Sequence, residues 1–106
     1  MPVVKSVEPS GILDSAKGNQ LRRDVSDIVE KGVELVLIDL KDVTFMDSSG
    51  LSALISAQRM VRTAGGKLYL CSINEQVKMV FELTRMDRVF ETFPNRDDFN
   101  TSVGSV

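Results

Sequence analysis

The run Leu35-Val36-Leu37-Ile38 places the tightest limit on how this chain can fold. A short apolar run with no polar alternation is characteristic of a strand covered on both faces, and such a strand lies in the centre of a sheet. The remaining chain must then supply covering layers. It alternates helix-like and strand-like segments, which argues for an α/β layer structure. With 106 residues the chain has an ordinary domain length and is too short for two ordinary cores. We therefore expect one domain over residues 1–106, with a core at about 3–93 and a short helix or flexible tail at 94–106.

Val3 to Val7 alternates weakly and ends at the turn cluster Glu8-Pro9-Ser10-Gly11. Gly11-Ile12-Leu13 reads as a second short strand, and the two predict a hairpin. Leu21, Val25, Ile28 and Val29 recur at helical spacing, which predicts a helix over 15–31 with Asp14 or Ser15 as its cap and Gly32 as its stop. After the central strand, Lys41 to Met46 reads as a connection. A second helix is predicted over 49–64, with Ser52, Ser56, Arg59 and Thr63 facing solvent and the rest buried. Lys67 to Ser72 is a further strand, Glu75 to Arg85 a third helix, and Val89 to Phe93 a last short strand. Met79, Leu83 and Met86 lie off the expected core side of the third helix; they read as core packing or as a docking patch.

Composition excludes several functions. The 13 basic and 15 acidic residues are nearly balanced, and Arg22-Arg23 is too small a cluster for the positive footprint that nucleic acid binding needs. No stretch approaches the roughly 20 apolar residues of a membrane span. The segment Met1 to Lys5 does not resemble the start of a signal peptide, so a soluble cytoplasmic protein is expected. Cys71 is the single cysteine, which forbids an intrachain disulfide, and within Leu68-Tyr69-Leu70 it reads as a buried small hydrophobe. Histidine is absent, which removes imidazole as a base and rules out most zinc sites. No cofactor and no metal are expected.

The segment Asp47-Ser48-Ser49-Gly50 carries the chemistry that remains. Asp and Ser at a helix start accept hydrogen bonds from the unpaired N–H groups of the first turn, so the plainer reading is an N-cap. Gly50 allows a close backbone approach. A hydroxyl on that turn is also within reach of another protein. The helix N-terminus tolerates a phosphate, which would add about −1.5 to −2 charges beside Asp47. The modified chain would stay folded and lose a partner.

Catalytic readings fail on residue types. A nucleophile elbow needs Gly-x-Ser-x-Gly and a base, yet position 46 is Met and no histidine exists. Asp39, at the end of the central strand, resembles the phosphoacceptor of a receiver domain. That chemistry needs two acids near the first strand and a late lysine, and only Glu8 is suitably placed; Asp97-Asp98 falls in the tail. Asp39 is expected to bond neighbouring backbone, and the chain is not expected to be an enzyme.

Val36-Leu37-Ile38-Asp39-Leu40 leading to Phe45-Met46-Asp47-Ser48-Ser49-Gly50-Leu51, then Gly65-Gly66-Lys67-Leu68, resembles the domain shared by sulfate transporters and anti-sigma factor antagonists (STAS). The segment from Phe45 to Leu51 most resembles the bacterial anti-sigma factor antagonists, and Gly11-x-Leu13-Asp14 also fits. The resemblance covers residues 3–93. It implies a mixed β-sheet of about four to five strands with helices packed mainly on one face. It also implies partner switching: the unmodified antagonist binds an anti-sigma serine kinase of the histidine-kinase-like ATPase fold, which frees a sigma factor for transcription. The kinase phosphorylates Ser48 with ATP, the phosphorylated form lets the kinase go, and a metal-dependent serine phosphatase restores the chain. Asp14, Asp47, Ser48, Ser49, Gly50 and Leu51 would form the partner-binding surface, with capping an equal reading for Asp14. The same fold also serves in scaffold or signalling-complex subunits without a sigma factor, and that alternative stays open. Direct contacts with nucleic acid or membrane are not expected.

Overall fold

The computed structural model describes residues 3–104, and Met1, Pro2, Ser105 and Val106 lie outside the described residues. The central strand is β3 (Leu35–Asp39), flanked by β1 (Val4–Val7) and β5 (Lys67–Cys71), with β6 (Glu91–Phe93) beyond β5. A separate pair is made by β2 (Gly11–Leu13) and β4 (Val43–Met46). The main helices are α1 (Ser15–Glu30), α2 (Ser48–Thr63) and α3 (Glu75–Leu83), and the short α4 (Arg96–Phe99) runs into a π-helical turn over Asn100–Gly104.

The α/β class holds, but the strand directions differ from the mixed sheet that the resemblance implies. Every pairing among the described residues is parallel. A crossover helix lies between β3 and β5 and between β5 and β6, and such a connection returns the chain in the same direction. The expected β1–β2 hairpin is absent for a related reason. Glu8-Pro9-Ser10-Gly11 serves as a corner, Gly11 taking φ +74°, so that β1 pairs with β3 and β2 with β4. Lys41 to Met46 is more than a connection, because Val43–Met46 is β4.

Alternation along β3 and β5 assigns their side chains to two clusters. Val36, Ile38, Leu68 and Leu70 join the main core, with Leu21 and Val25 of α1, Leu54 and Ala57 of α2, and Val77 and Phe81 of α3. The α1–α2 contact is close at Gly18, where an added Cβ would stand 2.9 Å from Ala53 Cβ. Leu37, Tyr69 and Cys71 form the second cluster, closed by Phe99 of α4. The helices thus pack mainly on one face, and the tail covers the other. Phe99 lies 5.5 Å, centroid to centroid, from both Tyr69 and Phe93. Cys71 is buried as expected, and burial pushes its thiol pKa up.

An ion pair anchors the tail. Asp39, 1% exposed, accepts a hydrogen bond from the Lys41 backbone N–H at 3.1 Å, and its Oδ2 forms an ion pair with Arg96 Nη2 at 3.3 Å. Arg96 Nη2 also meets Glu8 Oε1 at 2.7 Å. Asp39 therefore bonds neighbouring backbone as anticipated, and also carries a charge partner that the sequence did not suggest.

Helix α3 stops at Leu83, short of Arg85, because Arg85 takes a left-handed φ of +60° and Met86 N–H bonds back to Phe81 O at 2.8 Å. Met79 and Leu83 do not pack into the core, being 53% and 77% exposed, whereas Met86 packs against it.

Gly50 fixes the start of α2 against β2: a Cβ there would collide with the Leu13 carbonyl oxygen and with Met46 Cγ. Gly50→Ala should cost about 3 kcal/mol through backbone overpacking, measured by urea denaturation. Phe99→Ala should cost about 3–5 kcal/mol in the same assay, since it empties the second cluster. A tail without a packing role would leave the midpoint unchanged.

Candidate functional site

Two strand-to-helix transitions emerge together at one end of the β2–β4 pair. The parallel register sets Leu13 against Met46, so Asp14 and Asp47 follow at equivalent places on adjacent strands. Each aspartate caps the helix it precedes. Asp14 Oδ1 accepts from Lys17 N–H at 3.1 Å, and Asp47 Oδ1 accepts from Gly50 N–H at 3.0 Å. Asp47 N–H reaches Leu13 O at 3.4 Å, which links the two turns. Capping by Asp at a helix N-terminus satisfies one orphan donor and places a negative charge at the positive end of the helix dipole.

With Asp47 as the cap, Ser48 becomes the first residue of α2 and its side chain is exposed. Its hydroxyl enters no hydrogen bond recorded among the described residues. The turn thus separates two duties: Asp47 holds the helix end, and Ser48 presents a free oxygen to the surroundings. Ser49 is half-buried, and its carbonyl oxygen lies on the side where α1 approaches at Gly18.

Gly50 and Leu51 are placed differently from the surface that the resemblance implies. Gly50 is buried under Leu13, and Leu51 is 7% exposed within the main core. The helical turn points Leu51 inward because α2 must bury an apolar face against the sheet. Both residues support the turn from beneath. Asp14 and Asp47 are partly accessible beside it.

Ile12 and Phe45 form part of this end of the fold and were not legible as site residues. They are register partners on β2 and β4, and they are 54% and 48% exposed. Alternation turns Leu13 and Met46 into the core and leaves Ile12 and Phe45 facing out. An exposed cross-strand apolar pair beside two carboxylates is a surface with both an adhesive centre and charge. The only sequence sign of it was a Phe two residues before Asp47, within a segment read as a connection.

The outer edge of β4 is held by side chains at the start of α3, from its cap Asn74 and from Gln76. Asn74 caps α3 by accepting from Val77 N–H at 2.9 Å, and its Nδ2 donates to Val43 O at 3.0 Å. Gln76 makes a pair of bonds to Met46: Met46 N–H donates to Gln76 Oε1 at 2.8 Å, and Gln76 Nε2 donates to Met46 O at 2.9 Å. No group of three or more metal-ligating side chains assembles among the described residues, and no helix there is long and apolar enough to cross a membrane.

Comparison with known proteins agrees with this fold. A family model described as the STAS domain matches residues 2–99. An anti-sigma-B factor antagonist of Bacillus subtilis is 32% identical over 85 residues, covering 80% of this chain and 77% of the relative. The crystal structure of a Thermotoga maritima protein superposes with a TM-score of 0.86 at 25% identity, covering 98% of this chain and 92% of that one. An anti-sigma factor antagonist from Mycobacterium paratuberculosis gives a TM-score of 0.83 at 25% identity, over 96% of this chain and 86% of that one. With a matching family model over nearly its whole length and the same fold, the chain belongs to the STAS domain family.

Proposed function

We propose that this chain is an anti-sigma factor antagonist that works in the cytoplasm by partner switching, with Ser48 as its phosphorylation site. The observation that carries this reading is the exposed Ser48 hydroxyl, left free because Asp47 does the capping. The kinship with a Bacillus subtilis anti-sigma-B factor antagonist supports the choice of partner class. In the unmodified state an anti-sigma serine kinase docks on the α2 turn, and the sigma factor it would otherwise hold is set free.

Docking uses Ser48 and Ser49 with the rims of Asp14 and Asp47, over the apolar pair Ile12 and Phe45. Gly50 and Leu51 act beneath this surface, fixing where it stands. Aromatic side chains at the centre of an interface commonly carry much of the binding energy, which favours Phe45 as the anchor.

Phosphorylation forms a bond between Ser48 Oγ and the γ-phosphorus of ATP. The bond from that phosphorus to the β–γ bridging oxygen breaks, ADP departs, and the serine proton passes to a base of the kinase. Catalytic groups and nucleotide belong to the kinase, and Ser48 is a substrate. The product places a dianionic group beside Asp47 and near Asp14. The amino end of α2 accommodates that charge, so the fold persists. A partner surface matched to two carboxylates and a neutral hydroxyl then meets bulk and excess charge. A metal-dependent serine phosphatase reverses the step.

The test combines the chain with the ATPase-fold serine kinase encoded in the same genome, ATP and magnesium. One phosphate should appear at Ser48 by intact mass and peptide mapping. Ser48→Ala should remain unmodified and keep its affinity for the kinase by calorimetry. Ser48→Asp should bind at least about tenfold more weakly, a loss of about 1.4 kcal/mol or more. Phosphate appearing in full on the alanine variant would show that the acceptor lies elsewhere. Phe45→Ala should weaken docking by about 1–2 kcal/mol with unchanged thermal stability, since the ring is half exposed.

A further inference from the structure

We propose that Gln76 is a positioning residue for the Ser48 turn, acting through its paired hydrogen bonds to Met46. The inference rests on the reading of Ser48 as the phosphoacceptor, and it adds a residue from a different helix to that site.

Met46 is the last residue of β4, directly before the capping Asp47. On its inner edge β4 is tied to β2, but the final link, Asp47 N–H to Leu13 O, is long at 3.4 Å. On its outer edge there is no neighbouring strand among the described residues. Gln76 takes that strand's place. Its primary amide presents a donor and an acceptor side by side, and it satisfies both the N–H and the C=O of Met46, at 2.8 and 2.9 Å. Both restraints come from a side chain 30 positions away.

The two contacts restrain the two peptide units on either side of the Met46 Cα. The second unit, Met46 C=O to Asp47 N–H, is one rigid plane held by Gln76 on one side and Leu13 O on the other, and Asp47 in turn aims the first turn of α2. Loss of the Gln76 contact would leave the peptide held on one side only. The Ser48 oxygen would then sample a wider range of positions, while Ile12, Phe45 and the carboxylates remain to bind a partner. Phosphoryl transfer depends on in-line placement of the acceptor oxygen, and a displacement of about 1 Å can cost about a hundredfold in rate. Asn74 contributes to the same edge at Val43, further from the turn, and its loss would also remove the α3 cap.

Two measurements test the proposal on Gln76→Met, which keeps side-chain length and removes both hydrogen-bonding groups. In the isolated chain, NMR-detected amide exchange should show the Gly50 N–H exchanging at least about tenfold faster than in wild type, relative to the amides of β3 and β5. With the kinase and ATP that phosphorylate wild type, kcat should fall about ten- to a hundredfold while KM stays within about threefold. A residue that only holds the fold together would shift the core and turn amides alike and leave kcat per folded molecule unchanged. Either result overturns the proposal. Should Gln76→Met fail to fold, Gln76→Glu keeps the acceptor for Met46 N–H, lacks the donor for Met46 O at neutral pH, and is read by the same two measurements. If no phosphate reaches Ser48 of the wild-type chain, the reading of Ser48 fails. The exchange experiment still decides whether Gln76 holds the turn.

Discussion

The approach of the α2 amino end to the β2 backbone is the contact on which the geometry of this molecule depends. Gly50 lies against the Leu13 carbonyl with no room for a side chain between them. That closeness brings β4 into parallel register with β2 and sets the two capping aspartates at matching positions. It also lets α1 and α2 meet at Gly18 and Ala53. A looser contact would separate the two turns, and the surface at this end would lose its composition as well as its shape.

Within that frame, structural and signalling duties fall to different atoms. Asp47 meets the needs of the helix end, so Ser48 has no structural task recorded among the described residues. This division explains how a side chain at the very start of a buried helix can be altered without endangering the helix. The same logic applies below the surface, where Gly50 and Leu51 are committed to packing and are not available for contact. In the motif, adjacent residues therefore serve opposite sides of the protein backbone.

Much of this was legible in the amino-acid sequence because it is written in local periodicity. The apolar run of β3, the helical spacing in α1 and α2, and the glycines after them led to the right elements within a residue or two. The Asp-Ser-Ser-Gly turn could be read as cap and exposed hydroxyl, although local sequence did not decide which residue did which. What escaped were pairings between distant segments. Gly11-Ile12-Leu13 alternates too briefly to choose between a neighbouring strand and β4, and Val43 to Met46 is too short, with Thr44 and Phe45 outward, to announce a strand. The Gln76 clamp and the Arg96 bridge are single side chains meeting backbone or charge far along the chain, and such contacts leave no periodic trace. The sequence left Met79 and Leu83 open between core and surface because apolar identity favours burial only on average, and the structure leaves both exposed.

The bridge from Arg96 to Asp39 and Glu8 has a consequence for the order in which the molecule can mature. Positions 8 and 96 are 88 apart, so the anchoring cation is made late while the acids it serves are made early. The strands β1, β3 and β5 can pair before the segment that bears Arg96 docks. At that stage Asp39 would have to enter a low-dielectric interior without its counter-ion, an arrangement that costs several kcal/mol. Closure of the sheet's second face is thereby tied to the docking of Arg96, and until then Asp39 favours contact with water.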